Sequence, residues 1–198
     1  MRQLSLAISP PPQPTLDNFV PGANAELLAR LREFQAGTFP DVVLYLWGEA
    51  GSGKSHLLRA CAGPVVVDDV EKLDEASQIG LFNAINEARQ SGGKVLAAGN
   101  APPAQLPLRE DLRSRLAWGL VYQVKPLTDE QRAVFLRGEA GRRGIHVGDD
   151  VIGYLLSHVR RDPPSLVAIL GELDRASLES RRRITLALVR ETLKALGE

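Results

Sequence analysis

Apolar residues in this chain follow two rhythms. Up to about residue 125, short unbroken apolar runs alternate with segments of helical spacing, and beyond it only the helical spacing continues. Leu27, Leu28, Leu31 and Phe34 recur at helical intervals after Asn24, a residue type that caps helices, and predict a helix over 25–35. Residues 42–47 are a continuous β-branched and aromatic run ending at glycine, the pattern of a strand buried on both faces of a parallel sheet. A glycine loop over 48–53 opens a helix to residue 60, and a second buried strand is expected at 65–68. Next come a helix over 74–90 stopped by Gly92-Gly93, a strand at 94–98, a short helix over 108–116 and a strand at 120–124. After Pro126, the capping-box sequence Thr128-Asp129-Glu130-Gln131 starts a wholly helical part, with amphipathic segments near 150–160, 165–179 and 185–196. This alternation predicts an α/β core with a parallel sheet flanked by helices, followed by a small helical domain. The expected division is a tether at 1–14, a core at 15–125 and a helical domain at 126–198.

The strongest chemical signal stands between the first strand and its helix. Gly48-Glu49-Ala50-Gly51-Ser52-Gly53-Lys54-Ser55 meets every fixed position of G-x-x-x-x-G-K-[ST] in the context that motif requires. Glycines let backbone N–H groups turn inward around phosphates, and the helix N-terminus adds the positive end of its dipole. Lys54 reaches the β/γ-phosphates, and the Ser55 hydroxyl takes Mg²⁺. Residues 65–67 then deliver Asp68-Asp69 to the carboxyl edge of a strand, where open α/β sheets bind ligands. By itself such a pair is as readily an acidic turn; beside a P-loop, Asp68 is read as the metal ligand and Asp69 as the residue that orients the attacking water.

Further stretches resemble the DnaA-related AAA+ family. Thr15-Leu16-Asp17-Asn18-Phe19-Val20, with Gly22 and Asn24, is similar to the segment that covers the adenine in that family. Gly53-Lys54-Ser55-His56-Leu57-Leu58 resembles its P-loop helix beyond the motif. His56 is accordingly grouped with the nucleotide-binding residues rather than read as a base or metal ligand. Gly99-Asn100-Ala101-Pro102-Pro103 sits where the family carries sensor 1; alone, Asn100 reads as a turn residue, and the resemblance sets it against the γ-phosphate or its water. Leu112-Arg113-Ser114-Arg115-Leu116-Ala117-Trp118-Gly119-Leu120 is similar to the box that carries the arginine finger, with Arg115 at the finger position. Leu173-Asp174-Arg175-Ala176-Ser177 and Ile184-Thr185-Leu186-Ala187-Leu188-Val189-Arg190 resemble the lid of the Hda branch. The likeness covers most of residues 15–196 and implies a P-loop NTPase (AAA+) core with an α-helical lid.

Two departures qualify that expectation. Pro164 falls where the family has its sensor 2 arginine, and proline offers a nucleotide no charge; Arg160 and Arg161 are the nearest candidate substitutes. Only Gly63-Pro64 separates the P-loop helix from the acidic strand, so one strand–helix unit of the family is missing. In the family's strand order 5-1-4-3-2 the missing strand is an edge, so four parallel strands are expected to remain.

Composition narrows the partners. Lys and Arg number 24 and so do Asp and Glu, leaving no net positive field for non-specific DNA binding, so DNA contact is expected only indirectly. One cysteine, Cys61, in an apolar helix fits a reducing cytoplasm. No membrane span or signal core is read in the sequence. Arg181-Arg182-Arg183 is the one basic run and reads as a solvated helix end.

Gln3-Leu4-Ser5-Leu6, ahead of a proline-rich tether, is similar to the peptide by which the Hda branch binds the ring-shaped sliding clamp (β subunit) of DNA polymerase. Two leucines suit an apolar pocket, and the Gln side chain supplies a directed polar contact. Family DnaA members add a helix-turn-helix domain after the lid, which this sequence does not. The resemblance therefore implies a regulatory inactivator of DnaA that binds ADP or ATP with Mg²⁺, docks on the clamp and stimulates DnaA ATP hydrolysis in trans, with a homo-oligomer left open. Two other classes compete: a helicase-loader or transposition-type AAA+ ATPase (DnaC or IstB kind) with its own turnover and a DNA surface, and a small P-loop kinase with an acceptor site. Replacing Gln3, Leu4 and Leu6 together by alanine is expected to abolish clamp binding in surface plasmon resonance with an unchanged circular dichroism spectrum. Unaltered clamp affinity removes the peptide from the interaction.

Overall fold

The computed structural model describes residues 13–61, 63 and 65–196. They fall into two compact units, Gln13–Pro126 and a second that begins at Leu127. The peptide Gln3-Leu4-Ser5-Leu6 lies outside the described residues.

In the first unit the elements are α1 (Ala25–Gln35), β1 (Val43–Trp47), α2 (Lys54–Ala60), β2 (Val65–Val67), α3 (Glu75–Ser91), β3 (Val95–Gly99), α4 (Glu110–Leu116) and β4 (Leu120–Gln123), with short 3-10 turns at Val70–Lys72 and Pro103–Gln105. The four strands are all parallel in the order β2-β3-β1-β4, as expected for a sheet that has lost an edge strand. Central β1 pairs Val43 with Val95 on one side and Leu44 with Leu120 on the other.

Side-chain alternation along these strands builds two cores. Leu44, Leu46, Leu96 and Ala98 face Leu27, Leu28, Leu31 and Phe34 of α1 and Leu57 and Leu58 of α2. Val43, Tyr45, Val95 and Ala97 face Leu81, Ile85 and Ala88 of α3 and Leu112 and Leu116 of α4. Each fully buried leucine contributes roughly 1.5–3 kcal/mol over its exposed state, so both helix layers are held chiefly by this burial. The thiol of Cys61 is buried in the first core, and desolvation pushes its pKa up to about 11, which keeps it a protonated, unreactive apolar group.

Two local expectations are corrected. Strand β2 is not buried on both faces: Val66 is exposed and Val65 and Val67 are half-buried. It has become an edge strand, paired on one side with β3 alone. Asn24 precedes α1 but its side chain does not cap the helix. Its Nδ2 donates to the Lys125 carbonyl at 2.9 Å and its Oδ1 accepts from the Lys125 N–H at 2.8 Å. The buried amide thus ties the start of α1 to the chain just after β4, a two-bond link worth more than a single exposed cap. Asp74, by contrast, does cap α3, accepting from the Ser77 N–H at 2.9 Å, and Gly92 ends that helix at φ 76°.

The second unit contains α5 (Asp129–Arg142), α6 (Asp149–His158), α7 (Pro163–Ser180) and α8 (Leu186–Leu196). Thr128 and Gln131 form the reciprocal capping box at the head of α5. One cluster joins Leu136, Ile152, Leu166 and Leu170; a second joins Val151, Leu155, Ile169, Leu173, Leu188, Val189 and Leu193. Among the described residues no helix is long and apolar enough to cross a membrane.

The entry to β4 presses on β1 so closely that a Cβ at Gly119 would overlap the Val43 carbonyl oxygen. Because the obstacle is central-strand backbone, it cannot rotate aside. Gly119→Ala is expected to cost about 3 kcal/mol or more of stability, seen as a lower urea midpoint; an unchanged midpoint contradicts this packing.

Candidate nucleotide-binding site

The P-loop follows directly from the burial of β1. A strand covered on both faces must release the chain at its carboxyl end, and here it does so through a loop whose positive-φ positions are all glycine, Gly48 at φ 156°, Gly51 at φ 77° and Gly53 at φ 103°. A Cβ at Gly53 would lie 2.7 Å from Cε2 of Phe19, so the Phe19 ring packs directly on the loop. The Ser52 side chain is buried and its Oγ has no hydrogen-bond partner. Lys54 is buried at the start of α2, and its Nζ donates to the carbonyls of Gly48 at 2.7 Å and Glu49 at 3.0 Å. Burial lowers its pKa, while Asp68, Glu71 and Asp69 act in the opposite direction. The site thus gathers one desolvated cation and three carboxylates.

The segment before α1 is fastened over this loop. Thr15 N–H donates to Asn18 Oδ1 at 2.9 Å, Asn18 N–H to Thr15 Oγ1 at 3.1 Å, and Asn18 Nδ2 to the Gln13 carbonyl at 2.8 Å. His56 reaches it from α2: its Nε2 lies 2.9 Å from the Thr15 carbonyl, which can only accept, so that nitrogen carries the proton. The His56 and Phe19 rings stand 5.5 Å apart. Asp17 instead points outward, 3.5 Å from Arg32 in a highly exposed pair.

Asp68 and Asp69 follow β2. Asp69 adopts a left-handed conformation, φ 49°, its N–H bonded to Asp68 Oδ1 at 2.9 Å and its Oδ2 accepting from Lys72 at 2.7 Å; that hydrogen bond raises the pKa of Lys72. Asn100 is exposed just beyond β3, and its N–H donates to Glu71 Oε2 at 3.3 Å. Tyr45 donates to the Ala101 carbonyl at 2.8 Å, and burial raises the pKa of its phenol, keeping it a donor. A Cβ at Gly99 would overlap that hydroxyl. Glu71 and Tyr45 therefore fix the turn that carries Asn100. Sequence reading passed over both, since neither belongs to a motif; only their places, beside the acidic pair and within the central strand, could have marked them.

P-loop, acidic pair and Asn100 thus come together at the carboxyl ends of adjacent strands β1, β2 and β3. Arg115 does not join them. It lies in the last turn of α4, shortly before β4 begins at Leu120, whose partner on β1 is Leu44. Gly48 is four residues further along, roughly 13 Å of extended strand. Arg115 is half-buried, its Nε donates to Asn86 Oδ1 at 2.9 Å, and its guanidinium carbon lies 3.5 Å from the centre of the Trp118 ring. Asn86 was also invisible to motif reading.

In the second unit Pro163 and Pro164 open α7 behind the Asp162 cap. Arg160 pairs with Asp162 and Arg161 with Asp129, both at 3.4 Å. The two candidate substitutes for a sensor arginine are thus engaged in local ion pairs. Arg182 pairs with Glu191 at 3.0 Å, and the basic run is exposed, as expected of a solvated helix end.

Alanine at Gly53 must adopt a left-handed conformation, against the Phe19 ring, for the loop to keep this shape. Strain of about 1–3 kcal/mol corresponds to binding weaker by roughly fivefold to about 150-fold. Gly53→Ala is therefore expected to weaken adenine-nucleotide affinity at least about fivefold in a fluorescence titration; equal affinity refutes the loop's role.

Residues 129–193 match the family model described as Hda, lid domain. Among solved structures, domain III of the Thermotoga maritima replication initiation protein DnaA is similar at 21% identity, covering 94% of this chain and 98% of that one, with a TM-score of 0.77. AMPPCP-bound DnaA from Aquifex aeolicus is similar at 20% identity, with 85% and 67% covered and a TM-score of 0.72. The Thermotoga maritima RuvB Holliday junction branch migration motor is similar at 19%, with 93% and 72% covered and a TM-score of 0.70. The chain has the AAA+ fold found in DnaA domain III, its sheet reduced to four strands, and its α5–α8 unit matches the lid of Hda.

Proposed function

We propose that this chain is a DnaA-related AAA+ regulator that binds adenine nucleotide, ADP or ATP with Mg²⁺, docks on the sliding clamp through Gln3, Leu4, Ser5 and Leu6, and stimulates ATP hydrolysis by DnaA through Arg115. Hydrolysis inactivates the initiator, and DNA is met only through the clamp. The observation that carries the reading is the separation of Arg115, in the last turn of α4 just before β4 begins, from its own P-loop beyond the far end of β1. A guanidinium placed there serves a neighbour's phosphates, not its own. The Hda lid match supports the choice of partner.

The residues present fit a nucleotide. Ser52 Oγ is a buried group without a hydrogen-bond partner, Gly51 and Gly53 give the loop the left-handed turns that a phosphate cradle needs, and Lys54 is desolvated, so its charge acts strongly on phosphate. To meet β/γ-oxygens, Lys54 would give up its bonds to the Gly48 and Glu49 carbonyls. Ser55 and Asp68 would hold Mg²⁺, which neutralises phosphate charge when bound. Phe19, Asn18 and His56 would cover the adenine side of the loop, and Asp69 and Asn100 would orient water. With Pro164 at the sensor position, diphosphate is expected to bind at least as well as triphosphate, and the chain's own turnover to be weak.

A finger neutralises charge that develops only as the γ-phosphate leaves, so its loss affects rate rather than binding. Arg115→Ala is expected to leave nucleotide affinity and clamp binding nearly intact while lowering DnaA hydrolysis, assayed with clamp-loaded DNA, on the order of 10³-fold. Lysine is expected to rescue poorly, because a point charge lacks the planar fork of donors. Full stimulation by Arg115→Ala, or rapid DNA-dependent turnover by this protein with none by DnaA, would favour a loader-type ATPase instead.

A further inference from the structure

Arg115 is not a free surface arginine. Phe82, Asn86 and Arg89 recur on α3 at intervals of four and three residues, which puts them on one helix face. That face meets the end of α4. Asn86 Oδ1 takes the Nε–H of Arg115 at 2.9 Å, the Phe82 ring centre lies 5.2 Å from its guanidinium carbon and the Trp118 ring centre 3.5 Å. The guanidinium is therefore fixed at its inner nitrogen and across its plane. Neither Nη group has an acceptor among the described residues, so the forked outer edge is left to a ligand. Arg89 places a second guanidinium 4.5 Å from the centre of the same, 41% exposed, indole. Two like charges on one ring favour an anion between or beside them.

We propose that Asn86 and Trp118 are positioning residues that preset Arg115, before any partner binds, with its Nη edge turned outward for the phosphate of a partner's nucleotide. The inference rests on the trans-acting reading above and adds the device that sets its geometry. Asn86 fixes rotation about the last side-chain bonds, and Trp118 fixes the plane. Correct orientation of a catalytic group, held in advance, raises the rate without adding affinity.

The test uses full-length protein, clamp-loaded DNA and DnaA with ATP. Asn86→Ala and Trp118→Ala are each expected to lower the saturating rate of stimulated hydrolysis about ten- to a hundredfold, with the half-saturating concentration of this protein unchanged. Trp118→Phe keeps an aromatic plane and is expected to recover most of the rate. In ¹⁵N spectra the Arg115 Nε–H, identified by its loss in Arg115→Lys, is expected to exchange more slowly than that of Arg113, and to lose this protection in Asn86→Ala. Full rate in both alanine variants overturns the proposal, as does a raised half-saturating concentration at unchanged rate, which would make the pair a docking contact. If wild-type protein gives no stimulation at all, the trans-acting function fails, and the exchange experiment still decides: protection lost in Asn86→Ala upholds a preset guanidinium, and unprotected wild-type Nε–H overturns it.

Discussion

The double burial of β1 constrains most of the first unit. Val43, Leu44, Tyr45 and Leu46 are all inaccessible, with strands on both sides and helices on both faces. A strand in that position cannot turn back by a hairpin; its chain leaves through the carboxyl end and returns over a face as a helix. The P-loop is that exit. The same strand gives its carbonyl at Val43 as the surface against which Gly119 packs, and its Tyr45 hydroxyl as the clamp on the turn of Asn100. One element thereby sets the distance between the P-loop, the turn that carries Asn100 and the entry to β4.

What could be read in the sequence was whatever depends on local pattern. Strand and helix positions in the first unit follow from apolar spacing, and the glycine loop with Lys54 and Ser55 is recognisable because its chemistry needs fixed intervals. The capping box at Thr128 and Gln131 is local too, and forms. What could not be read depends on residues far apart in the chain. Asn24 looks like a helix cap, but a partner 101 residues away at Lys125 competes for its amide, and both its donor and its acceptor are satisfied there. The second strand looks buried because Val65, Val66 and Val67 are apolar; its exposure follows from the sheet order and the absence of a neighbour beyond it.

The same division runs through the site. Gly48 to Ser55 announces itself by spacing, whereas Glu71 acquires a role only because the Val70–Lys72 turn brings its carboxylate to the Asn100 N–H and into the field of Lys54. Arg115 could be singled out by the Trp-Gly that follows it. Asn86 could not, for a half-buried asparagine within a helix carries no pattern until α3 and α4 are seen packed together.

Loss of a strand–helix unit leaves this arrangement standing because of where the sheet is cut. The nucleotide-side groups hang on β1, β3 and the end of β2, and Arg115 hangs on α4, which packs against α3 and β1. None of these supports is the missing strand. Cutting between β2 and an outer neighbour removes cover from Val66 but no hydrogen-bond partner from β3 or β1. The cost is an exposed edge of three residues, short enough to offer little template for pairing with another chain. Removing β3 instead would have parted the acidic pair from Lys54 and left Tyr45 without the Ala101 carbonyl. The shortened core is thus cut on a side of the sheet that neither the P-loop nor Arg115 depends on.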